Sequence, residues 1–441
     1  MKRFVVDLTE FSEWSGHLTG IQRVSRGIAE SFEDTENVVL VTFDGKDAFH
    51  EVQYDDFKER FEVHDEAKSL TETVVGVDVG NRHRMKLLAK KIYYRMPGGV
   101  RQSFTPERRE RIKRAAVSVN RILSRIRAGK TEDVIQVDLR VPFMFKKGDI
   151  MISSCRAWDH PNYLETVQRL RVENGIVAAF VIYDLIPIYQ QHTFGPGLTE
   201  RYTEYLYEVL RGADYLLPIS NSSKRDILRF ADEIGLLKLP VINTIRLGDD
   251  IAKEVTEEVP KFVRNKDSFA LTVGTIEARK NHAEIYYAYK LAAERGIKLP
   301  EIYIVGGKGW LTDDIIYMIE NDLDTKDRII FLRDVSDRNL AWLYKNALFT
   351  VYPSQYEGWG LPIAESLSYG TPCIASTTSS MTEIAPRYVD HVSPFDPAEL
   401  LGCMERYADP LVSQKRRDEI LIGYKPYTWR DTYDSIRKAL N

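Results

Sequence analysis

Tyr356-Glu357-Gly358-Trp359-Gly360-Leu361-Pro362-Ile363-Ala364-Glu365 sets two carboxylates eight positions apart around a glycine loop and the start of a helix. The run before it, Leu348-Phe349-Thr350-Val351-Tyr352, is apolar, β-branched and aromatic, and reads as a buried strand ended by Pro353-Ser354. Gly358 and Gly360 permit a tight turn. Pro362 suits a first helical turn, where its missing N–H costs nothing, and Gly370 stops the helix. The predicted unit is strand, glycine loop, helix. Such a unit points free backbone N–H groups and the positive end of a helix dipole into the loop, which favours a phosphate. Carboxylates beside that phosphate can accept hydrogen bonds from sugar or ribose hydroxyls. An ordinary helix N-terminus with acidic residues for the dipole is spelled the same way, so this stretch alone leaves both readings open.

Working outward, Phe269-Ala270-Leu271-Thr272-Val273 reads as another strand, followed by Gly274-Thr275-Ile276-Glu277-Ala278-Arg279-Lys280-Asn281-His282. A guanidinium fork and an ammonium side by side at a strand's carboxyl edge suit a diphosphate, one by paired hydrogen bonds and one as a point charge. By themselves they read equally as a solvated surface pair. Near the start, a strand over Arg3 to Leu8 leads through a loop with Gly16 and Thr19-Gly20 into a helical pattern from Ile21 to Glu30. Ile176 to Asp184 reads as a buried parallel strand ending in Asp184, and strand ends are where open α/β sheets bind ligands. Asp184 reads as an acceptor-hydroxyl contact or as a turn cap. Ser220 to Asp226 is a capped helix start after the strand Ala213–Ser220.

Glu357 and Glu365, in the context Tyr-Glu-Gly-x-Gly-Leu-Pro-x-x-Glu, together with Glu277-Ala278-Arg279-Lys280-Asn281, resemble the retaining family 4 glycosyltransferases. The resemblance implies an α/β fold of the GT-B type, two Rossmann-like doubly wound domains facing a cleft. It implies catalytic roles for Glu357, Arg279, Lys280 and Asp184. The implied donor-binding set is Gly20, Gly274, Arg279, Lys280, Arg333, Val335, Glu357, Gly358, Trp359, Gly360, Leu361 and Glu365, with Glu357 near the donor sugar and Glu365 on the ribose. Arg333-Asp334-Val335 would hold the base through backbone groups. Tyr183 stands where relatives carry histidine, Ala278 where they carry proline, and Gly20 is alone where many have two glycines. No metal and no other cofactor is expected. The expected reaction moves a hexose or deoxyhexose, with retention, from a nucleotide-sugar donor to a saccharide or lipid-linked acceptor. GDP-mannose is the expected donor, with a UDP-hexose or dTDP-rhamnose as alternatives. A non-catalytic scaffold, and a phosphorylase or epimerase on the same fold, stay open.

Composition sets the frame. The 441 residues carry 61 basic and 65 acidic side chains, net charge −4, so no global bias points to nucleic acid. The 44% hydrophobic content supports full cores for two or three domains. Cys155, Cys373 and Cys403 are scattered and odd in number, which fits a reduced, cytoplasmic setting. Asp7 interrupts the first apolar run too early for a signal peptide, and no run approaches a membrane span. Residues 82–130 are strongly basic with interleaved apolar positions, reading as two amphipathic helices that would lie on an anionic membrane surface or on the domain itself. The expected domains are 1–250 for the acceptor, 251–267 as linker, 268–426 for the nucleotide sugar, and 427–441 as a helix crossing back. Asp322-Leu323-Asp324 reads as a solvated turn rather than a metal motif.

Overall fold

A computed structural model describes residues 2–12, 20–33, 37–54, 142–248, 256, 258–266 and 268–441. The basic segment 82–130, Gly16, Thr19 and residues 251–255, 257 and 267 of the expected linker lie outside the described residues. Within them two sheets form, both in one compact unit.

The first sheet comprises β1 (Phe4–Asp7), β2 (Val38–Phe43), β3 (Phe49–Val52), β4 (Ile150–Ser153), β5 (Val177–Ile182), β6 (Tyr215–Pro218) and β7 (Val241–Ile242). Its order is β3-β2-β1-β4-β5-β6-β7, parallel except where β3 runs back against β2. The second comprises β8 (Phe269–Val273), β9 (Glu301–Val305), β10 (Ile329–Leu332), β11 (Phe349–Tyr352), β12 (Cys373–Ser376) and β13 (Val389–Val392), in the all-parallel order β10-β9-β8-β11-β12-β13. Near-continuous apolar strands follow from burial on both faces. Ala270 and Ile302 enter one core layer while Phe269, Leu271 and Tyr303 enter the layer on the other side, as the two-residue side-chain period requires. In each sheet the order reverses once, between β1 and β4 and between β8 and β11, and the crevice at such a reversal is where α/β sheets hold ligands.

Six helices position the site: α1 (Gly20–Glu33), α2 (Asn221–Glu233), α3 (His282–Glu294), α4 (Asp337–Asn346), α5 (Leu361–Ser368) and α6 (Trp429–Ala439). α6 starts with a reciprocal cap between Thr428 and Asp431 and packs on α1, where the Phe32 and Tyr433 rings meet edge to face at 4.7 Å. Ser379–Glu383 forms a 3-10 turn rather than an α-helix: it begins at left-handed Ser379 (φ 49°) and is followed by left-handed Ala385 (φ 40°), which a regular helix does not accommodate. The edge strand β7 is short, pairing only through Val241–Ile242.

Candidate active site

Arg279 and Lys280 end a 3-10 turn that leaves β8, and Glu357 lies in the loop that leaves β11, so the β8/β11 crevice brings them together. Arg279 Nη1 lies 2.7 Å from Glu357 Oε2, and Lys280 Nζ lies 2.7 Å from Oε1 of the same carboxylate. Arg279 also reaches Glu277 at 2.5 Å and donates to the Tyr356 carbonyl at 2.8 Å. Lys280 donates to the Tyr352 hydroxyl at 2.6 Å. Burial alone would push the Glu357 carboxyl up, but the two cations outweigh it and hold the group well below the usual carboxylate range. Lys280 is held below its ordinary value by burial, to which the Arg279 charge adds against the pull of Glu357. Gly274, at φ 149°, carries the chain past Lys280, whose side chain a Cβ there would meet at 3.5 Å.

The first sheet closes on this cluster. A Cβ on Gly358 would stand 2.4 Å from the Tyr183 carbonyl oxygen and 3.0 Å from Asp184 Cβ, so only glycine lets the β11 loop touch the end of β5. Asp184 accepts the Ile186 N–H at 3.0 Å, and burial pushes its carboxyl up to about 6 against the opposing charge of Arg279. Tyr183, where the resemblance led to an expected histidine, is buried, and its hydroxyl donates to the Ser154 carbonyl at 2.6 Å.

Glu365 is buried on α5, with Arg23 Nη2 of α1 at 2.7 Å from Oε1 and the Tyr344 hydroxyl of α4 donating to Oε2 at 2.8 Å. Gly20 opens the helix that carries Arg23. Trp359 is buried, Gly360 adopts φ 135°, and Leu361 is the first residue of α5. Arg333 and Val335 stand apart from the cation cluster, after the edge strand β10, two strands from β8. Sequence reading missed Arg23, Tyr344, Tyr352 and Glu277 as members of the site. The signal for Arg23 was its place three residues after Gly20 in the first glycine loop's helix; the tyrosines carry no signal beyond core periodicity. Asp322 and Asp324 are both paired with Lys290. Among the described residues no three His, Cys, Asp or Glu side chains gather as a metal would need, and no helix is long and apolar enough to cross a membrane.

Two doubly wound sheets that meet through loops at their strands' carboxyl ends, with paired cations in the second crevice, define the GT-B architecture. Residues 255–403 match the family described as glycosyl transferases group 1. The chain is 30% identical over 257 residues to the O-antigen chain mannosyltransferase B of Escherichia coli, covering 56% of this chain and 66% of that protein. It is 25% identical over 279 residues to the serotype-specific mannosyltransferase WbdA of the same species, covering 60% of this chain and 34% of that one. The chain thus spans just under two thirds of one relative and about a third of the other. In fold it is similar to Anabaena Alr3699/HepE, solved with UDP and glucose (TM-score 0.58, 13% identity, 100% of this chain and 99% of that one). It is likewise similar to the N-terminal domain of Candida albicans trehalose-6-phosphate phosphatase (TM-score 0.55, 14% identity, 100% and 97%).

Proposed function

We propose that this chain is a glycosyltransferase of bacterial surface polysaccharide synthesis, moving a hexose or deoxyhexose from a nucleoside diphosphate donor to a saccharide or lipid-linked acceptor with retention. The observation that carries this reading is the Arg279–Lys280–Glu357 cluster, buried in the β8/β11 crevice and closed by Gly358 against Asp184. Departure of a nucleoside diphosphate needs negative charge stabilised on its β-phosphate. Arg279, Lys280 and the amides of Gly358, Trp359 and Gly360 supply this without a metal. On this reading Glu357 holds both cations in place until the diphosphate takes them over, then faces the donor sugar, while Asp184 approaches the acceptor hydroxyl. GDP-mannose is the first donor proposed, on the mannosyltransferase names of the relatives, with UDP-hexose or dTDP-rhamnose next. A cytoplasmic site of action, with the basic segment 82–130 on an anionic membrane surface, completes the proposal.

Isothermal titration with GDP, UDP and dTDP tests it. One nucleotide is expected to bind the wild-type chain and to lose binding in Arg279→Ala, and the corresponding sugar donor to turn over roughly 10² times more slowly in that variant. Failure of all three nucleotides to bind the wild-type chain would overturn the reading.

A further inference from the structure

The loop that carries Glu357 is held from two sides by residues outside the cation cluster. From the second sheet's side, Ser379 Oγ accepts the Glu357 N–H at 2.9 Å, and Ser380 Oγ lies 2.8 Å from the Glu357 carbonyl and 2.6 Å from that of Trp359. From the first sheet's side, α2 reaches the same loop: the Tyr356 hydroxyl donates to Asp226, and Ser222 Oγ lies 3.4 Å from that hydroxyl. Glu383, at the end of the Ser379–Glu383 turn, joins the two holds. Its carboxylate accepts the N–H of Asn221 at 2.8 Å and of Ser222 at 2.7 Å, the first two helical residues of α2.

The first N–H groups of a helix have no partner within it. The Ser220 hydroxyl serves the Ser223 N–H, which leaves the two amides ahead of it to a carboxylate contributed by the other sheet's side of the molecule. Charge-assisted hydrogen bonds and the positive end of the helix dipole both favour a carboxylate there. The turn that Glu383 fastens is the one whose serines hold the Glu357 backbone.

We propose that Glu383 is a positioning residue: docked on the N-terminus of α2, it fixes the Ser379–Glu383 turn and through it sets Glu357 between Arg279 and Lys280. Its bearing on turnover rests on the glycosyltransferase reading; the mechanical coupling does not.

Hydrogen exchange read by mass spectrometry on peptides covering 220–224 and 355–360 tests the coupling directly. In Glu383→Ala both peptides are expected to exchange faster, by about tenfold, as loss of hydrogen bonds to a charged acceptor implies. Glu383→Gln, which keeps one acceptor oxygen, is expected to fall between. Faster exchange in 220–224 alone would overturn the proposal. Tyr356→Phe leaves Glu383 in place and guards against misfolding of the first variant; it is expected to speed exchange of 355–360, and no change there would also overturn the proposal. In the transfer reaction, Glu383→Ala is expected to lower kcat by between about tenfold and 10²-fold, as for a displaced catalytic group. The Kd for the bound nucleotide, by calorimetry, is expected to change by much less than kcat, because Arg279 and Lys280 lie outside the loop that Glu383 fastens. A parallel loss of nucleotide affinity would overturn the positioning role. If the wild-type chain binds no nucleotide, the functional reading fails while the exchange experiment still decides the coupling.

Discussion

Glu357 is the hinge of the site's electrostatics, because a single carboxylate keeps two buried cations from repelling one another. Replacing it with glutamine leaves the shape and removes the charge. Glu357→Gln is expected to bind nucleoside diphosphate as tightly as the wild-type chain or more tightly, since Lys280 loses its carboxylate partner and Arg279 keeps only Glu277, while turnover falls by roughly 10² or more. Calorimetry beside a turnover assay separates the two effects; weaker nucleotide binding would show that the carboxylate, not the cations, holds the ligand. Asp184 answers to the opposite sign. Its folded pKa, about 6, lies above the unfolded value of about 3.9, so its contribution to stability is intact at low pH and is lost as pH rises through 6. Asp184→Asn, which keeps the acceptor for Ile186, is expected to be more stable than wild type at pH 8 by up to about 3 kcal/mol, and equal to it near pH 4. Melting curves at the two pH values check this; a gain of the same size at both would place the effect in packing. The residues of the cation cluster were legible in the sequence because each follows an apolar strand by a few positions. The partners of Glu365 were not: Arg23 and Tyr344 reach it from other helices, 342 and 21 positions away, and a contact between side chains at such separations leaves no period in the chain.

At the level of elements, glycines mark where segments press together. On α1, a Cβ at Gly27 would fall 2.2 Å from the Trp429 indole, so the notch that glycine leaves is the seat of α6. Gly27→Ala forces the indole or the helix aside and is expected to destabilise the chain by about 1–3 kcal/mol, the usual cost of overpacking. Chemical denaturation of the variant beside Trp429→Phe checks it, since the smaller ring should relieve the clash and restore part of the loss. The alternation of strands with helices was readable from apolar runs and their caps, as at Ser220 and Thr428, whose side chains do accept the N–H groups of Ser223 and Asp431. The Ser379–Glu383 turn was not, because the left-handed residues at its start and just after it, Ser379 and Ala385, are a serine and an alanine rather than the glycine or asparagine that would have announced them.

Across the whole molecule, what ties the two sheets is a small set of polar contacts laid over the fit of Gly358 against Tyr183 and Asp184. Arg23 to Glu365 is the most desolvated of them on the acidic side: the glutamate side chain is 2% exposed and the arginine 28%. Removing one member of a buried pair leaves the other charge without compensation, whereas removing both avoids that penalty. Arg23→Met alone is therefore expected to cost roughly 3 kcal/mol, the low end for such pairs because the arginine side chain keeps part of its surface in water. Glu365→Gln, which retains an acceptor for Tyr344, should cost less. The double variant should lose less than the sum of the two, with a coupling of about 1–3 kcal/mol in the cycle, as for residues in direct contact. Denaturation curves of the four proteins measure it. Additive losses would mean that the two charges do not sense each other, and that the sheets are held together at Glu383 and α6 rather than across α1 and α5.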